Sequence, residues 1–408
     1  RQGTLSHLNV RSSSRGTPNC YIRAPLETLL PWKDQLIRFE CGSSNWSAAA
    51  AGQEEAEAFW SDLRPDPVSI CSPDYSVRAT PGLLEAQTDS AEQRRSNLCS
   101  YGSKGSNLAT LYQRIAPDLQ LSGFMIPFAF YEQFMEEGTW QVDLGSGLAS
   151  HSFAETIVAW HEDPVFLTDA GIRSQRLEAL RTAMMAAPVS PDILEAVAEK
   201  VRATWGNDTT MARVRSSSNA EDSLDFSGAG LYESTSICLA DELDSDTTGP
   251  SRCDPDKEQE RPVADGLKEV WASLWGLAPW EERAWYGIDH TQVAMGVLCD
   301  DRYNNEQANI VAFSGNPTAM GDWRYLINAQ TGDLEVVSAE PGIYPEKVLL
   351  TVGAGGVTKI ERISSSSEVD QVLSDAQLQE LGEAFYEIVQ VYPMDYPLPE
   401  GGELLWDT

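Results

Sequence analysis

Positive charge is scarce in this chain. It carries 29 Lys and Arg against 62 Asp and Glu, a formal charge of −33, and only 7 of the bases are lysines. A surface that acidic repels phosphate backbones, which excludes general nucleic-acid binding, and it repels anionic membranes as well. Long apolar runs are also missing. No stretch approaches the roughly 20 residues needed to cross a bilayer. CxxC pairs are absent, which excludes zinc ribbons and thioredoxin-like redox chemistry. Histidine occurs 4 times in 408 residues; His151, His161 and His290 have no mutual ligand spacing and read as structural or surface residues. Neither GxxxxGK[ST] nor a GxGxxG following a strand is present, so the standard phosphate loops are excluded. There is no solenoid-type repeat.

What remains is an ordinary globular composition with length for two to three domains and for a core that needs no disulfide or metal. The chain opens on Arg1 rather than Met and closes on Asp407-Thr408 directly after an apolar run, which reads as part of something longer. Of the seven cysteines, Cys238 and Cys253 bracket a polar loop. A bridge there would point to an oxidising compartment, and seven free thiols to the cytoplasm. Residues 241–262 hold eight acidic residues and no apolar run, and read as an exposed loop or disordered insert. Asp241, Asp244 and Asp246 do not fit the register of a calcium loop.

Charge and composition suggest divisions. Residues 1–26 contain Arg1, Arg11, Arg15 and Arg23 and no acid. Residues 63–97 are rich in Pro, Ser and Asp and read as a linker. Beyond it, SPDILEAVAEKVRATW predicts a helix with Ser190 as its cap and Ile193, Val197 and Val201 on one stripe. DAQLQELGEAFYEIV predicts another, through Leu378, Leu381, Phe385 and Val389. MARVRSS, QVAMGVLCD, ANIVAFSG, RYLINA and LEVVSA read as strands. Interleaved helices and strands predict an α/β or α+β body.

The densest chemistry lies in residues 213–235, RVRSSSNAEDSLDFSGAGLYEST. A strand runs into Arg215, Ser216 and two further serines, followed by Asn219, Glu221 and the loop Ser227-Gly228-Ala229-Gly230. Glycines allow close backbone approach, serines supply hydroxyls, and arginine offers a planar fork to phosphate oxygens. The residues alone leave an anion-binding loop and a simple glycine-rich turn both open.

RVRSSSNAED followed by FSGAGLYEST resembles the ATP-binding domain of phosphoenolpyruvate synthase, pyruvate phosphate dikinase and the glucan water dikinases. GSKGSNLATL (102–111), GFMIPFAFYEQFM (123–135), VWASLW (270–275), GIDHTQVAMGVLCD (287–300) and ANIVAFSGNP (308–317) resemble further blocks of that family in its order. The resemblance covers about residues 98–408 and implies an ATP-grasp fold there. It implies that Lys104, Arg215 and Ser216 touch nucleotide phosphates, with Lys104 and Arg215 facing one cleft beneath the flexible loop Gly228–Gly230. Val297, Leu298 and Cys299 would form a strand edge beside the adenine, and Glu335 would contact ribose or metal. Asp407 stands where the family's acidic metal-binding motif begins. The family's TRNP-like block reads Ser314-Gly315-Asn316-Pro317 here.

At the front, TLSHLNVRSSSRGTPN resembles the swivelling phosphohistidine domain of the same enzymes, in an LSH-x-x-VR form close to that of the glucan water dikinases. This implies that residues 1–62 form a small mobile domain and that His7 carries the phosphoryl group, with Arg11 and Arg15 steadying its charge. The histidine domain preceding the ATP domain is also the water-dikinase order. Together these imply a Mg²⁺- and ATP-dependent dikinase-type phosphotransferase whose acceptor is a carbohydrate or small carboxylic acid. The alternative is a non-catalytic nucleotide-binding or structural module of a larger, extracytoplasmic protein.

Overall fold

The computed structural model describes residues 12, 15–42, 45–113, 115–221, 226, 228, 230–244, 246, 248–303, 306–317, 319, 321–332, 334, 336 and 342–392. His7, Glu335 and Asp407 lie outside the described residues. The chain divides into two compact units. One comprises residues up to 65 together with those from 303 onward, and the other residues 66–302.

In the first unit the short helix Pro25–Leu29 leads to an antiparallel hairpin of β1 (Ile37–Cys41) and β2 (Trp46–Ala50), followed by the helix Gln53–Leu63. The chain then enters the second unit. Its strands are β3 (Gly123–Ile126), the hairpin β4 (Thr139–Asp143) with β5 (Leu148–Ser152), β6 (Met211–Ser218), β7 (Ser234–Cys238) and β8 (Met295–Asp301). Four of these make a central antiparallel sheet in the order β3-β8-β6-β7. Back in the first unit, β9 (Ala308–Phe313), β10 (Tyr325–Thr331), β11 (Glu346–Gly353) and β12 (Gly356–Ser364) form a second antiparallel sheet. Helices mixed with antiparallel sheets make the architecture α+β.

The amphipathic stripes read from sequence decide where the helices bury. Ile193 and Val197 are fully buried on the helix Pro191–Trp205, and the C-terminal turn is closed by Gly206 in the left-handed region at φ 74°. Ser190, read as its cap, makes no capping bond; its hydroxyl donates to Asp192 Oδ1 instead. The helix Asp375–Val391 starts with a reciprocal Ser374–Gln377 capping box and buries Leu378 and Phe385 against its own sheet.

The two faces of the central sheet pack differently. Phe124, Ile126, Val214, Val297 and Cys299 join the large core with Trp271. Met125 and Leu298, on the other face, pack with Leu83, Tyr101, Ala109 and Tyr112. This second layer overturns the reading of 63–97 as a free linker. Leu83 is buried, Gly82 bridges Phe124, and Pro81 accepts from Met125 N at 3.0 Å. Leu83, with Val68, Ile70, Tyr75 and Val77 partly buried against the two cores, docks a segment whose composition is otherwise that of a connector. None of the described helices is long and apolar enough to cross a membrane.

Segment 241–262 is likewise no loose insert. Cys238 and Cys253 are disulfide-bonded, and the buried Asp241 carboxylate accepts from Arg252 N and Arg261 N at 2.7 and 2.8 Å. The five other cysteines are free thiols.

Candidate functional site

The site grows from the way one helix lands on one strand. The helix Ser103–Leu111 starts at Gly102, whose φ is +83°. A Cβ there would lie 1.9 Å from the Ser217 carbonyl oxygen, so only glycine lets the helix begin this close to β6. Ser217 Oγ then accepts from Gly105 N at 3.0 Å, and Ser103 Oγ donates to the Ser218 carbonyl at 3.2 Å. These contacts fix the first turn, and with it Lys104, against the end of β6.

Pairing between β6 and β7 stops at Arg215–Ser234, while β6 continues along β8 to Ser218. The end of β6 is therefore open on one side. Lys104 Nζ reaches it, donating to Ser216 Oγ at 3.0 Å and pairing with Glu221. The Glu221 side chain is 1% exposed and the Lys104 side chain 34%. Gly228 packs on the stem of the same side chain: a Cβ there would sit 2.7 Å from Glu221 Cγ. The loop is anchored below by Asn219, which donates to the Cys71 and Gln292 carbonyls at 2.8 Å each and accepts from Ala294 N.

Arg215 is wired differently. Its Nε donates to Asp300 Oδ2 at 2.9 Å, and its side chain is 42% exposed. Asp300 is buried and its Oδ1 has no hydrogen-bond partner. Burial raises its carboxyl above the ordinary aspartate range, against the lowering effect of Arg215. Arg213, two residues back on the same face, is lowered by burial and then by the charges of Arg215 and Arg302. Two arginines, Arg213 and Arg215, thus act on the buried Asp300, against the charge of Asp301 beside it.

The structure thus brings Lys104, Ser216, Glu221 and Gly228 together. Gly230, at φ 67°, is exposed nearby in sequence. Lys104 meets Ser216 and Glu221, and Arg215 meets Asp300. One expectation changes. Val297, Leu298 and Cys299 are not a strand edge. β8 is interior, paired to β3 on one side and β6 on the other, and all three residues are buried. An apolar run cannot distinguish an edge strand from an interior one by pattern alone.

Two half-exposed cations on rigid elements, one of them beside a serine hydroxyl and a close glycine, can receive an anion with several oxygens. Over residues 99–396 the chain matches the pyruvate phosphate dikinase AMP/ATP-binding domain. The chain belongs to this family. It is 23% identical over 289 residues to the phosphoenolpyruvate synthase of Pyrococcus furiosus, across 66% of this chain and 32% of that protein. Probable phosphoenolpyruvate synthases of Pyrococcus abyssi and Pyrococcus horikoshii are each 24% identical over 300 residues, across 68% of this chain and 34% and 33% of theirs. The chain spans about a third of the length of the curated relatives it matches.

Within this AMP/ATP-binding domain, sequence reasoning found Lys104 and Arg215 but missed their partners. Glu221 stands in the same motif, five residues beyond Ser216. Asp300 closes the block GIDHTQVAMGVLCD, and the acid pair Asp300-Asp301 ending an apolar strand is the available signal.

His161 and His290 are tied into the core. His161 donates from Nδ1 to the Ile157 carbonyl at 2.7 Å and accepts at Nε2 from Trp280 Nε1 at 3.1 Å. His290 stacks on Trp280 at 4.4 Å and accepts at Nδ1 from Arg283. Both are held neutral: burial lowers each pKa first, and the charge of Arg283 lowers it further. What sequence could not show is that the two rings lie 5.0 Å apart.

Proposed function

We propose that this chain binds ATP through an ATP-grasp-type fold and takes part in a dikinase-type phosphoryl transfer. The observation that carries the reading is the pair of half-exposed cations, Lys104 and Arg215, at the end of β6 within a region matching an AMP/ATP-binding domain. Lys104 and Ser216 hold one side of the triphosphate and Arg215 the other, with Gly228 to Gly230 closing over it. ATP replaces carboxylates as the partner of each cation, an exchange of one charge-assisted contact for another. Phosphoryl transfer needs little beyond such positioning and charge neutralisation.

Magnesium supplies part of that neutralisation when bound. Its expected ligand Asp407 and the expected contact Glu335 lie outside the described residues. Among the described site residues, Asp300 Oδ1 is a partnerless carboxylate oxygen, a hard donor of the kind magnesium takes. His7 is the phosphoryl carrier of the proposal, on a domain of residues 1–62: it takes the β-phosphoryl group, AMP leaves, and the γ-phosphoryl group passes to water as phosphate. The acceptor is a carbohydrate or a small carboxylic acid; the relatives are named for phosphoenolpyruvate, which is of the second class.

Incubation with ATP labelled at the β-phosphorus tests the reading. Acid-labile, base-stable label on the protein, lost in His7→Ala with nucleotide affinity kept within about threefold, is the expected result. A His7→Ala protein labelled at the wild-type level would rule out the carrier. The Cys238–Cys253 disulfide favours a second reading, a non-catalytic nucleotide-binding module in an oxidising compartment. ATP binding without any label would favour it.

A further inference from the structure

Two free cysteines of the 66–302 unit stand together beside the Asn219 anchor. Cys71 lies on the docked segment, and Cys99 lies in the last turn of the helix Ala91–Tyr101. Asp74 N donates to the Cys99 carbonyl at 2.8 Å, which lays residues 71–74 against that turn. The two thiols are hydrogen-bonded to each other, and both residues are half-buried. An open cleft of about 330 Å³, lined by Ala91, Glu92, Arg95, Ser96 and Cys99, leads to the pair from the Cys99 side. The pair is asymmetric. The hydrogen bond from Cys71 holds the Cys99 thiol below its ordinary range against the effect of burial, and the charge of Arg95 adds to it. The same hydrogen bond, with burial, raises Cys71. Cys99 is therefore the nucleophile and Cys71 the resolving thiol.

We propose that Cys71 and Cys99 are a thiol–disulfide modification site, oxidised by a low-molecular-weight disulfide to a bridge that clamps segment 71–74 onto the end of this helix. The Cys99 thiolate attacks one sulfur of the reagent, forms a mixed disulfide and expels one thiolate. Cys71 gives up its proton, attacks the Cys99 sulfur and expels the second thiolate. Two cysteine thiols are oxidised, the reagent is reduced to two thiols, and the two protons end on them. The clamp acts on the backbone that frames the candidate site. The Cys71 carbonyl accepts from Asn219, and Cys99 stands three residues before Gly102, where the helix of Lys104 begins. The chain already carries one disulfide, so an oxidant of this class belongs to its surroundings. The site does not depend on the proposed phosphoryl transfer.

Incubation of the full chain with oxidised glutathione tests the proposal. Cys20 and Cys41 also touch, so the bridge is read by peptide mapping rather than by a thiol count. The map should show Cys71 joined to Cys99, and dithiothreitol should separate them. Without its resolving thiol the reaction stops halfway. Cys71→Ser should therefore keep glutathione on Cys99, while Cys99→Ser should take up at least about tenfold less on Cys71. The bridge closes a loop that contains the docked Leu83. It should raise the melting temperature by about 5 °C or more beyond any rise in the two variants. A wild-type map in which Cys71 and Cys99 stay thiols, or join other cysteines, would overturn the site. Equal glutathione uptake by the two variants would overturn Cys99 as the nucleophile. A bridge that leaves the melting temperature unmoved would overturn the clamp.

Discussion

The unit of residues 66–302 buries charge in two places, and they are wired in opposite ways. At the end of β6, each cation meets one carboxylate and keeps a third or more of its side chain in solvent. In the aromatic cluster, Arg283 is fully buried, and its donors go to His290, the Tyr232 hydroxyl and the Leu274 carbonyl. His161 uses both ring nitrogens, and Trp280 is sandwiched between the His290 ring and the Arg173 guanidinium at 4.2 Å. The first arrangement can exchange a partner without breaking the core. The second cannot, since any incoming ligand would have to displace packed rings. Residue type alone does not separate a site from a scaffold: the histidines, which chemistry would nominate first, belong to the scaffold.

The largest expected effect comes from the joint that sets Lys104. Gly102→Ala adds a Cβ where the Ser217 carbonyl already stands, at a φ that alanine avoids. Urea unfolding should show a loss of about 3 kcal/mol or more, with ATP affinity falling because the helix start must move. Unchanged stability would mean that the helix does not rest on β6 in this way.

Acid sharpens the other half of the comparison. His161 and His290 have folded-state pKa values below the unfolded value near 6.5. The unfolded chain therefore takes up protons first, so stability is complete above about pH 6.5 and falls as pH drops below it. The expected slope is up to about 1.4 kcal/mol per pH unit for each proton. His290→Gln should flatten the fall between pH 6.5 and 5 by about one proton. A variant with the wild-type slope would place the titration elsewhere.

The smallest effect is covalent and needs no activity. A thiol count on the unfolded, unreduced chain should give five groups and rise to seven after reduction. Seven before reduction would remove the bridge, and with it the support for an oxidising compartment.

Much of the fold was legible because periodicity is local. The helices after Ser190 and Ser374 and the strands β6, β8, β9 and β10 all lie where their patterns put them. The site was legible by half. Lys104 and Arg215 sit in recognisable blocks, but Lys104 meets Glu221 across 117 residues and Arg215 meets Asp300 across 85. Such pairings depend on sheet order, which periodicity does not encode. The docking of residues 66–97 was hidden for a related reason. A buried leucine and scattered half-buried apolar residues among prolines and serines have no period to read.

The account rests on Lys104 being a ligand contact rather than only the counter-charge of Glu221, and an ATP titration of two variants separates these roles. Lys104→Met removes a charged hydrogen bond to the nucleotide and leaves Glu221 buried without its partner. ATP affinity should fall about 10- to 100-fold and stability by about 3 kcal/mol. Lys104→Met combined with Glu221→Gln should recover most of the stability, since no buried charge is left unpaired, while ATP affinity stays low. If the double variant instead binds ATP as tightly as the wild-type chain, Lys104 serves the fold and the site lies elsewhere.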